Sequence, residues 1–141
     1  MSKLEDILAD FDVIEDWEER YRYVIELGRT LEPLDEADRN EINKVRGCAS
    51  QVWLSARTVI ENGEPHIHYT GDSDAHIVKG LVAVMLAIYS GRAAREILEI
   101  DPEATFSAIG LREHLTPQRA NGVNSMIERI RSDARAVLAA G

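Results

Sequence analysis

The feature that most limits how this chain can fold is a helix-length segment with apolar residues on every side. Residues 77–88 read IVKGLVAVMLAI, in which Lys79 is the one charged residue. A surface helix carries its apolar residues along a single stripe, so a helix that is apolar all round belongs inside the protein. We expect a central helix at about residues 75–89. Ser73 or Asp74 is its predicted N-cap, and Gly91 is predicted to follow its C-terminus in the left-handed conformation.

A β-hairpin is predicted just before this helix. Residues 51–60 are rich in β-branched and aromatic side chains and roughly alternate in polarity, which is typical of a strand. Asn62-Gly63 follows, and both positions tolerate the positive φ angles that a two-residue hairpin turn needs. The return strand is predicted at about residues 65–70, with Pro65 at its first position. Residues 71–73 are predicted to close the sheet region.

Helices are predicted on both sides of the hairpin. They lie at about residues 2–11, 16–30, 93–99 and 117–139, with single helical turns near 35–38 and 104–109. The pairs Ser2/Glu5 and Asp16/Glu19 have the form of capping boxes, and Thr116-Pro117 supplies an N-cap followed by a proline at the first helical position. The predicted fold class is α+β in one domain over residues 1–141, with a small antiparallel sheet between helices.

The acidic charge of the chain is confined to its N-terminal part. Residues 1–41 hold fourteen Asp or Glu and five Lys or Arg, whereas residues 42–141 hold eleven of each sign. An acidic surface repels phosphate backbones, so no nucleic-acid partner is expected. The excess of acidic residues is interpreted as a solvated helical face. The alternative is that this acidic surface steers the chain toward a basic protein partner.

The sequence also indicates where such a chain works. Its longest apolar run, residues 81–88, is too short to cross a bilayer, so no membrane partner is expected. The first residues turn acidic at once, unlike a secretory or transit peptide. One cysteine cannot form an internal disulfide. A reducing, cytoplasmic location is therefore predicted.

That single cysteine, Cys48, is the main candidate for chemistry. A free cysteine is often an inert buried residue, but here Gly47 precedes it between a polar segment and a strand, where a loop is expected. Lys44 and Arg46 place positive charge nearby, which favours the thiolate. From these residues alone the inert and the reactive interpretations both stay open.

Several kinds of cysteine chemistry are disfavoured by what surrounds Cys48 in the sequence. A redox disulfide needs a second cysteine, and a thiolate metal site needs more sulfur or nitrogen ligands. A cysteine hydrolase needs a histidine base, but none of the four histidines lies in a recognisable signature. His66 and His68 could bind a metal together with His76, but a solvated strand face explains them better. An isolated thiol can still carry an acyl group, an alkyl group or a sulfur atom.

Three segments resemble the SufE family of sulfur-acceptor proteins. Residues 43–54, NKVRGCASQVWL, are similar to the family's cysteine motif, and residues 72–81, DSDAHIVKGL, to the segment that begins its central helix. Residues 115–119, LTPQR, match its Leu-Thr-Pro-x-Arg motif. The three segments occur in the family's order, and the likeness extends over about residues 3–137.

The resemblance implies a fold and a function. The fold would be a SufE/IscU-like α+β domain with a three-stranded antiparallel sheet flanked by helices. Cys48 would take sulfane sulfur as a persulfide from a SufS- or CsdA-like cysteine desulfurase and deliver it for iron–sulfur cluster assembly on a scaffold. Such a chain is an accessory protein and not an enzyme. The pyridoxal phosphate (PLP) would belong to the desulfurase, so neither a cofactor nor a metal is expected on this chain.

Other residues receive supporting roles under the same resemblance. Arg46, Gly47, Asp74 and Arg119 are candidates for holding the cysteine loop or contacting the partner. A persulfide profits from an apolar shelter, for which residues 52–54 are candidates, and reaction would require the loop to swing outward. Trp53 and Gly80 are interpreted as core and close helix packing. The alternatives are a regulatory protein that binds a desulfurase without carrying sulfur and, less favoured, a cysteine hydrolase.

Overall fold

The computed structural model describes residues 3–48, 50–101, 103–104, 107 and 115–140. In chain order the elements are α1 (Lys3–Val13), α2 (Trp17–Arg29), a 3-10 turn (Glu36–Asp38), β1 (Val52–Glu61), β2 (Glu64–Ser73), α3 (His76–Tyr89), β3 (Arg92–Ala93), α4 (Ala94–Glu99) and α5 (Pro117–Ala140). The predicted α+β class, with one three-stranded antiparallel sheet and flanking helices, is confirmed.

Helix α3 occupies the centre of the fold, as its sequence predicts. Nine of its fourteen residues are buried, and it packs against α1, α2, α5 and strand β2. The approach to α2 is closest at Gly80, where an added Cβ would lie 2.1 Å from the carbonyl oxygen of Val24. The close-packing role predicted for Gly80 is therefore confirmed. None of the helices in the described part of the chain is both long and apolar enough to span a membrane.

The sheet has the order β1-β2-β3 and is built around the predicted hairpin. Strands β1 and β2 pair in register from Val52 with Ser73 to Glu61 with Glu64. Asn62 and Gly63 form the turn with φ angles of 52° and 78°. Strand β3 pairs only two residues, Arg92 and Ala93, with β2.

Strand β2 continues three residues beyond the predicted end. Residues 71–73 do not close the sheet; they pair with the first residues of β1. Gly71 lies opposite Leu54, and an added Cβ there would come within 2.8 Å of Val82 and 3.0 Å of Leu54. The glycine that suggested a strand end therefore allows β2 to pass close under α3.

The ends of the helices agree with the prediction in most places. Asp16 caps α2 by accepting from the Glu18 N–H, and Thr116 Oγ1 accepts from the Arg119 N–H at the start of α5. Gly91 has a φ of +85°, as expected after a helix C-terminus. The Ser2 capping box and most of the turn predicted at 104–109 lie outside the described residues.

The predicted N-cap of α3 is wrong. The cap position belongs to Ala75, and no side chain caps the first turn. Ser73 Oγ accepts only from the Ala75 N–H, at 3.3 Å, while the Asp74 carboxylate accepts from Gln51. The Asp74 carboxylate, which the local sequence pattern predicts as the cap of α3, instead binds Gln51 in the segment before β1.

Candidate functional site

Cys48 lies in a loop that connects the strand-like residues 43–45 to β1. The Val45 N–H donates to the Val52 carbonyl at 2.8 Å, and the Leu54 N–H donates to the Asn43 carbonyl at 2.8 Å. These two hydrogen bonds fix the base of the loop against the outer edge of the sheet. Of the described residues, Arg46, Gly47, Cys48, Ser50 and Gln51 lie between these hydrogen bonds and form the loop.

Asp74 fixes the C-terminal end of this loop through Gln51. Its carboxylate accepts from the backbone N–H of Gln51 at 3.0 Å and from the Gln51 side-chain amide at 3.4 Å. In return, the Asp74 N–H donates to the Gln51 carbonyl at 3.3 Å. The structure thus brings the candidate Asp74 to the cysteine loop, although it lies 26 residues further along the chain.

Gly47 allows the loop to turn beside helix α5. Its φ of +88° lies in the left-handed region that disfavours other residues. A Cβ at this position would also lie 2.5 Å from Ser125 Oγ on α5. Both the left-handed conformation and the close approach to α5 require glycine. The sequence predicted the conformational requirement but not the close approach.

The Cys48 side chain points toward the junction of helices α3 and α5. Its thiol lies 3.6 Å from the Gly122 carbonyl and can donate to that oxygen, and the residue is partly buried against the hydrophobic core. A cavity of about 210 Å³ opens in front of it. The apolar part of the lining comes from the first half of α3 and the start of α5: Ala75, Ile77, Val78, Leu81, Gly122 and Met126.

The predicted shelter was therefore assigned to the wrong residues. Val52 and Leu54 are fully buried in the core, and Trp53 lies under the guanidinium of Arg39 at 5.9 Å. None of the three lines the cavity at Cys48. Val52 and Leu54 are thus used by the core and Trp53 by its contact with Arg39, whereas the Cys48 thiol faces Gly122 on α5.

Burial raises the pKa of the Cys48 thiol above its usual value. This is the direction expected of a sheltered thiol, and the positive charge of Lys44 and Arg46 does not reverse it. Arg46 instead pairs with Glu41 at 2.9 Å, with both side chains 73% exposed. Its charge is directed into solvent, so Arg46 flanks the loop without activating the sulfur in this conformation.

Arg119 shares the cavity with Cys48, as its assignment to the site requires. Its side chain lines the opening together with Thr116 and Gln118. The guanidinium carbon lies 6.0 Å from the centre of the Tyr21 ring on α2, within cation–π range. Arg119 therefore bridges the rim of the cavity and the N-terminal helices.

The strand histidines lie away from Cys48. Glu61 contacts both of them, with oxygens 2.9 Å from His68 Nε2 and 3.6 Å from His66 Nδ1. His66 Nδ1 also lies 2.9 Å from the Gly91 carbonyl. These two side chains are partly buried and bonded, so the interpretation as a solvated strand face is wrong. No group of His, Cys, Asp and Glu residues with metal-binding geometry is found in the described ranges.

Two site residues escaped the sequence reasoning. Gly122 supplies the carbonyl that faces the thiol, and Ser125 lies against Gly47. Both are on α5, more than seventy residues after Cys48. Gly122 lies within the apolar stripe of that helix, where a small residue signals close approach, but nothing local indicates which segment approaches it.

Comparison with known proteins identifies relatives along almost the whole chain. The family model described as "SufE: Fe-S metabolism associated domain" matches residues 5–134. An uncharacterized SufE-like protein of Rhizobium meliloti is 52% identical over 140 residues, which is 99% of this chain and 100% of that protein. Another, from Rhizobium etli, is 53% identical over 140 residues, with 99% and 95% covered.

A solved structure shares the fold. The solution structure of a hypothetical protein from Thermus thermophilus superposes with a TM-score of 0.74 at 22% identity, covering 97% of this chain and 96% of that one. At this identity the likeness concerns the fold alone. The family match and the curated relatives confirm the resemblance to the SufE family, and the shared fold agrees with the predicted α+β class.

Proposed function

The chain belongs to the SufE family, and from that membership and the position of its thiol we propose that Cys48 is a persulfide carrier. The family supports a sulfur-transfer role as an accessory to a cysteine desulfurase. In our proposal, Cys48 takes sulfane sulfur from a PLP-dependent desulfurase of the SufS or CsdA kind. It then delivers this sulfur to a scaffold for iron–sulfur cluster assembly. The PLP resides on the partner.

The transfer is a thiol exchange that needs no external oxidant. The Cys48 thiolate attacks the outer sulfur of the donor's persulfide, a new S–S bond forms on Cys48, and the donor's cysteine thiolate leaves. The proton released by Cys48 balances the one that the leaving thiolate can take up. Neither a metal nor a catalytic triad is required for this step.

The observation that carries the proposal is the cavity in front of Cys48 Sγ. Its volume of about 210 Å³ is several times the roughly 30 Å³ that one water molecule occupies in the liquid. An added sulfur atom therefore fits beside the apolar side chains Ile77, Leu81 and Met126. A persulfide held there is kept from solvent reductants and oxidants.

Reaction with a protein donor requires a different loop position. The thiol is partly buried against α5, and burial opposes the thiolate that must attack. The hydrogen bonds at Val45, Val52 and Asp74 hold only the two ends of the loop. We propose that the part of the loop with Arg46, Gly47 and Cys48 moves outward while the ends of the loop stay in place, and that the bound desulfurase favours the outward state.

Intact-mass analysis tests the carrier role directly. The chain is mixed with a purified cysteine desulfurase and free cysteine, and we expect one added sulfur atom on the peptide that contains Cys48. The Cys48→Ser variant should gain none and should lose any stimulation of the desulfurase. A Cys48→Ser variant that still stimulates the desulfurase would instead identify a regulatory binding protein. No adduct on the wild type beside an active desulfurase overturns the proposal.

Hydrogen–deuterium exchange tests the loop movement. The exchange rates of the loop amides between Val45 and Gln51 should change when the desulfurase is bound, because the loop leaves its contacts with α5 and meets the partner. The Val45 and Gln51 amides should keep their exchange rates, because both stay hydrogen-bonded at the ends of the loop. The amides of the hairpin β1–β2 provide the internal control, since their ladder is unaffected. Equal exchange of the loop with and without the partner contradicts a swinging loop but leaves the carrier role intact.

A further inference from the structure

A second cleft lies beside the cysteine loop, further along α5. It has a volume of about 360 Å³ and is formed by the residues just before Cys48 and by the middle of α5: Lys44, Val45, Arg46, Ser125, Glu128, Arg129 and Ser132. We call it the basic cleft. It shares the loop with the cavity at Cys48 but none of that cavity's lining residues.

The charges of the basic cleft leave one cation without an ionic partner. Arg129 pairs with Asp133 at 3.3 Å, and Glu128 pairs with Arg135 at 2.6 Å. Arg46 pairs with Glu41 on an open surface, where an ion pair is weak and exchangeable. Within the described ranges, no carboxylate lies in ion-pair distance of the Lys44 ammonium.

The basic cleft carries positive charge, whereas the N-terminal part of the chain that precedes it is acidic. Residues 1–41 carry the whole net charge of −9, and helices α1 and α2 are built from that acidic part. A cleft with a surplus cation on such a molecule attracts an anionic group locally while the acidic helices repel it elsewhere. The hydroxyls of Ser125 and Ser132 add hydrogen-bond donors for the same group.

We propose that the basic cleft receives an acidic side chain of the protein that donates sulfur to Cys48. This proposal rests on the proposed function, because a donor must bring its persulfide to the Cys48 sulfur. Lys44 and Arg46 precede that cysteine by four and two residues, so their side chains flank the loop at which a donor must dock. A carboxylate on the donor pairs with Lys44 and competes with Glu41 for Arg46. It thereby orients the donor over the loop.

Zero-length cross-linking tests whether a carboxylate of the donor meets Lys44. A carbodiimide joins an amine to a carboxylate only when the two groups touch. The chain offers three lysines, Lys3, Lys44 and Lys79, and Lys79 already pairs with Asp72 of its own chain at 3.4 Å. In the complex with a cysteine desulfurase, we expect a Lys44 peptide joined to an Asp or Glu peptide of the desulfurase. Intermolecular links through Lys3 alone overturn the proposal.

The rate of sulfur transfer provides the second test. Lys44→Glu should lower the second-order rate of Cys48 persulfidation about tenfold at low salt, and raising the salt should narrow the difference. Each rate is divided by the rate at which iodoacetamide alkylates Cys48 in the same variant. This ratio removes any effect of the substitution on the loop itself. Lys44→Arg should restore most of the ratio.

Arg57→Glu is the matched control, because Arg57 is an exposed cation on β1 outside the basic cleft. A general loss of positive charge would lower the ratio equally in both variants, and that result overturns the proposal. Phosphate that slows transfer more than potassium chloride of equal ionic strength, without the cross-link, identifies a free-anion site and also overturns it. If wild-type Cys48 gains no sulfur at all, the proposed function itself has failed.

Discussion

At the scale of single residues, the cysteine loop depends on glycine more than on charge. Gly47 has a left-handed φ of +88°, and its missing side chain lets the loop reach Ser125. The flanking Arg46 faces solvent and pairs with Glu41. The conformation of the loop, and not a basic neighbour, therefore sets the environment of the sulfur.

We expect Gly47→Ala to destabilise the fold by more than the roughly 1–2 kcal/mol of left-handed strain alone. The added Cβ would also lie 2.5 Å from Ser125 Oγ. Gly63→Ala is the matched control, because Gly63 has a φ of +78° with nothing within 4 Å of an added Cβ. Urea denaturation measures the free energy of unfolding of both alanine variants. Ser125→Ala in the Gly47→Ala background should recover the difference, because it removes Oγ and leaves Cβ at an ordinary distance of 3.5 Å. Equal costs for Gly47→Ala and Gly63→Ala contradict the steric part of the argument.

The buried thiol gives the stability a dependence on alkaline pH. Because burial raises the pKa of Cys48 in the folded state, the unfolded chain loses this proton first as the pH rises. The stabilisation is complete below the ordinary thiol pKa of about 8.5 and is lost as the pH passes through the higher folded value. The free energy of unfolding should therefore fall more steeply above about pH 8 in the wild type than in Cys48→Ala. Parallel pH profiles would show that burial does not disfavour the thiolate.

At the scale of elements, the crossing of α2 and α3 sets where the cavity wall lies. Gly28 and Gly80 let the two helix backbones come together, with an added Cβ at Gly28 only 2.8 Å from the Gly80 nitrogen. This contact fixes α3 in position. The next residue on α3, Leu81, lines the cavity at Cys48. The helix crossing and the shelter of the thiol are therefore coupled through one element.

Gly80→Ala should destabilise the protein by about 2 kcal/mol or more. In an open helix the same change stabilises by about 1 kcal/mol through helix propensity. Here the new Cβ would meet the Val24 carbonyl at 2.1 Å, and overpacking typically costs about 1–3 kcal/mol. Chemical denaturation shows whether Gly80→Ala lowers the free energy of unfolding, as overpacking predicts, or raises it, as helix propensity alone would. A neutral or stabilising alanine would show that α2 and α3 do not approach as closely as described.

At the scale of the whole molecule, Asp72 joins three parts of the chain. It lies on β2, is buried, and contacts Arg39 after the 3-10 turn and Lys79 on α3. Burial tends to raise its pKa, but the Ser73 N–H and the two cations outweigh burial and hold the pKa below its usual value. The charged form is therefore the one that the fold stabilises.

Asp72→Asn should cost about 3 kcal/mol at neutral pH, because it leaves Arg39 and Lys79 without their buried partner. The contribution of Asp72 is complete above the ordinary Asp pKa of about 3.9 and is lost as the pH falls through the lower folded value. The difference between wild type and variant should thus shrink below about pH 4. Glu36→Gln removes only the exposed partner of Arg39 and should cost less than about 1 kcal/mol. Equal costs for the two variants contradict the assigned role.

The sequence by itself determined the main helices, the β1–β2 hairpin, the central position of α3 and the candidate cysteine, but not strand β3 or the end of β2. These are local properties: an all-round apolar helix, an Asn-Gly turn and a glycine before a lone thiol are all visible within a few residues. Periodicity and turn chemistry act over one or two turns of chain, so they also fixed the start of α5 at Thr116-Pro117. The segments at 43–54, 72–81 and 115–119 together indicate the family.

Only the tertiary structure decided what surrounds the sulfur. Asp74 leaves the helix that it was expected to cap and binds Gln51, and the shelter comes from α3 and α5 instead of residues 52–54. Burial at this site raises the pKa of Cys48, and its basic neighbours do not offset the effect. Each of these outcomes depends on contacts between segments that lie far apart in sequence. Local propensity cannot encode such contacts, because the packing of the whole chain determines which distant groups meet.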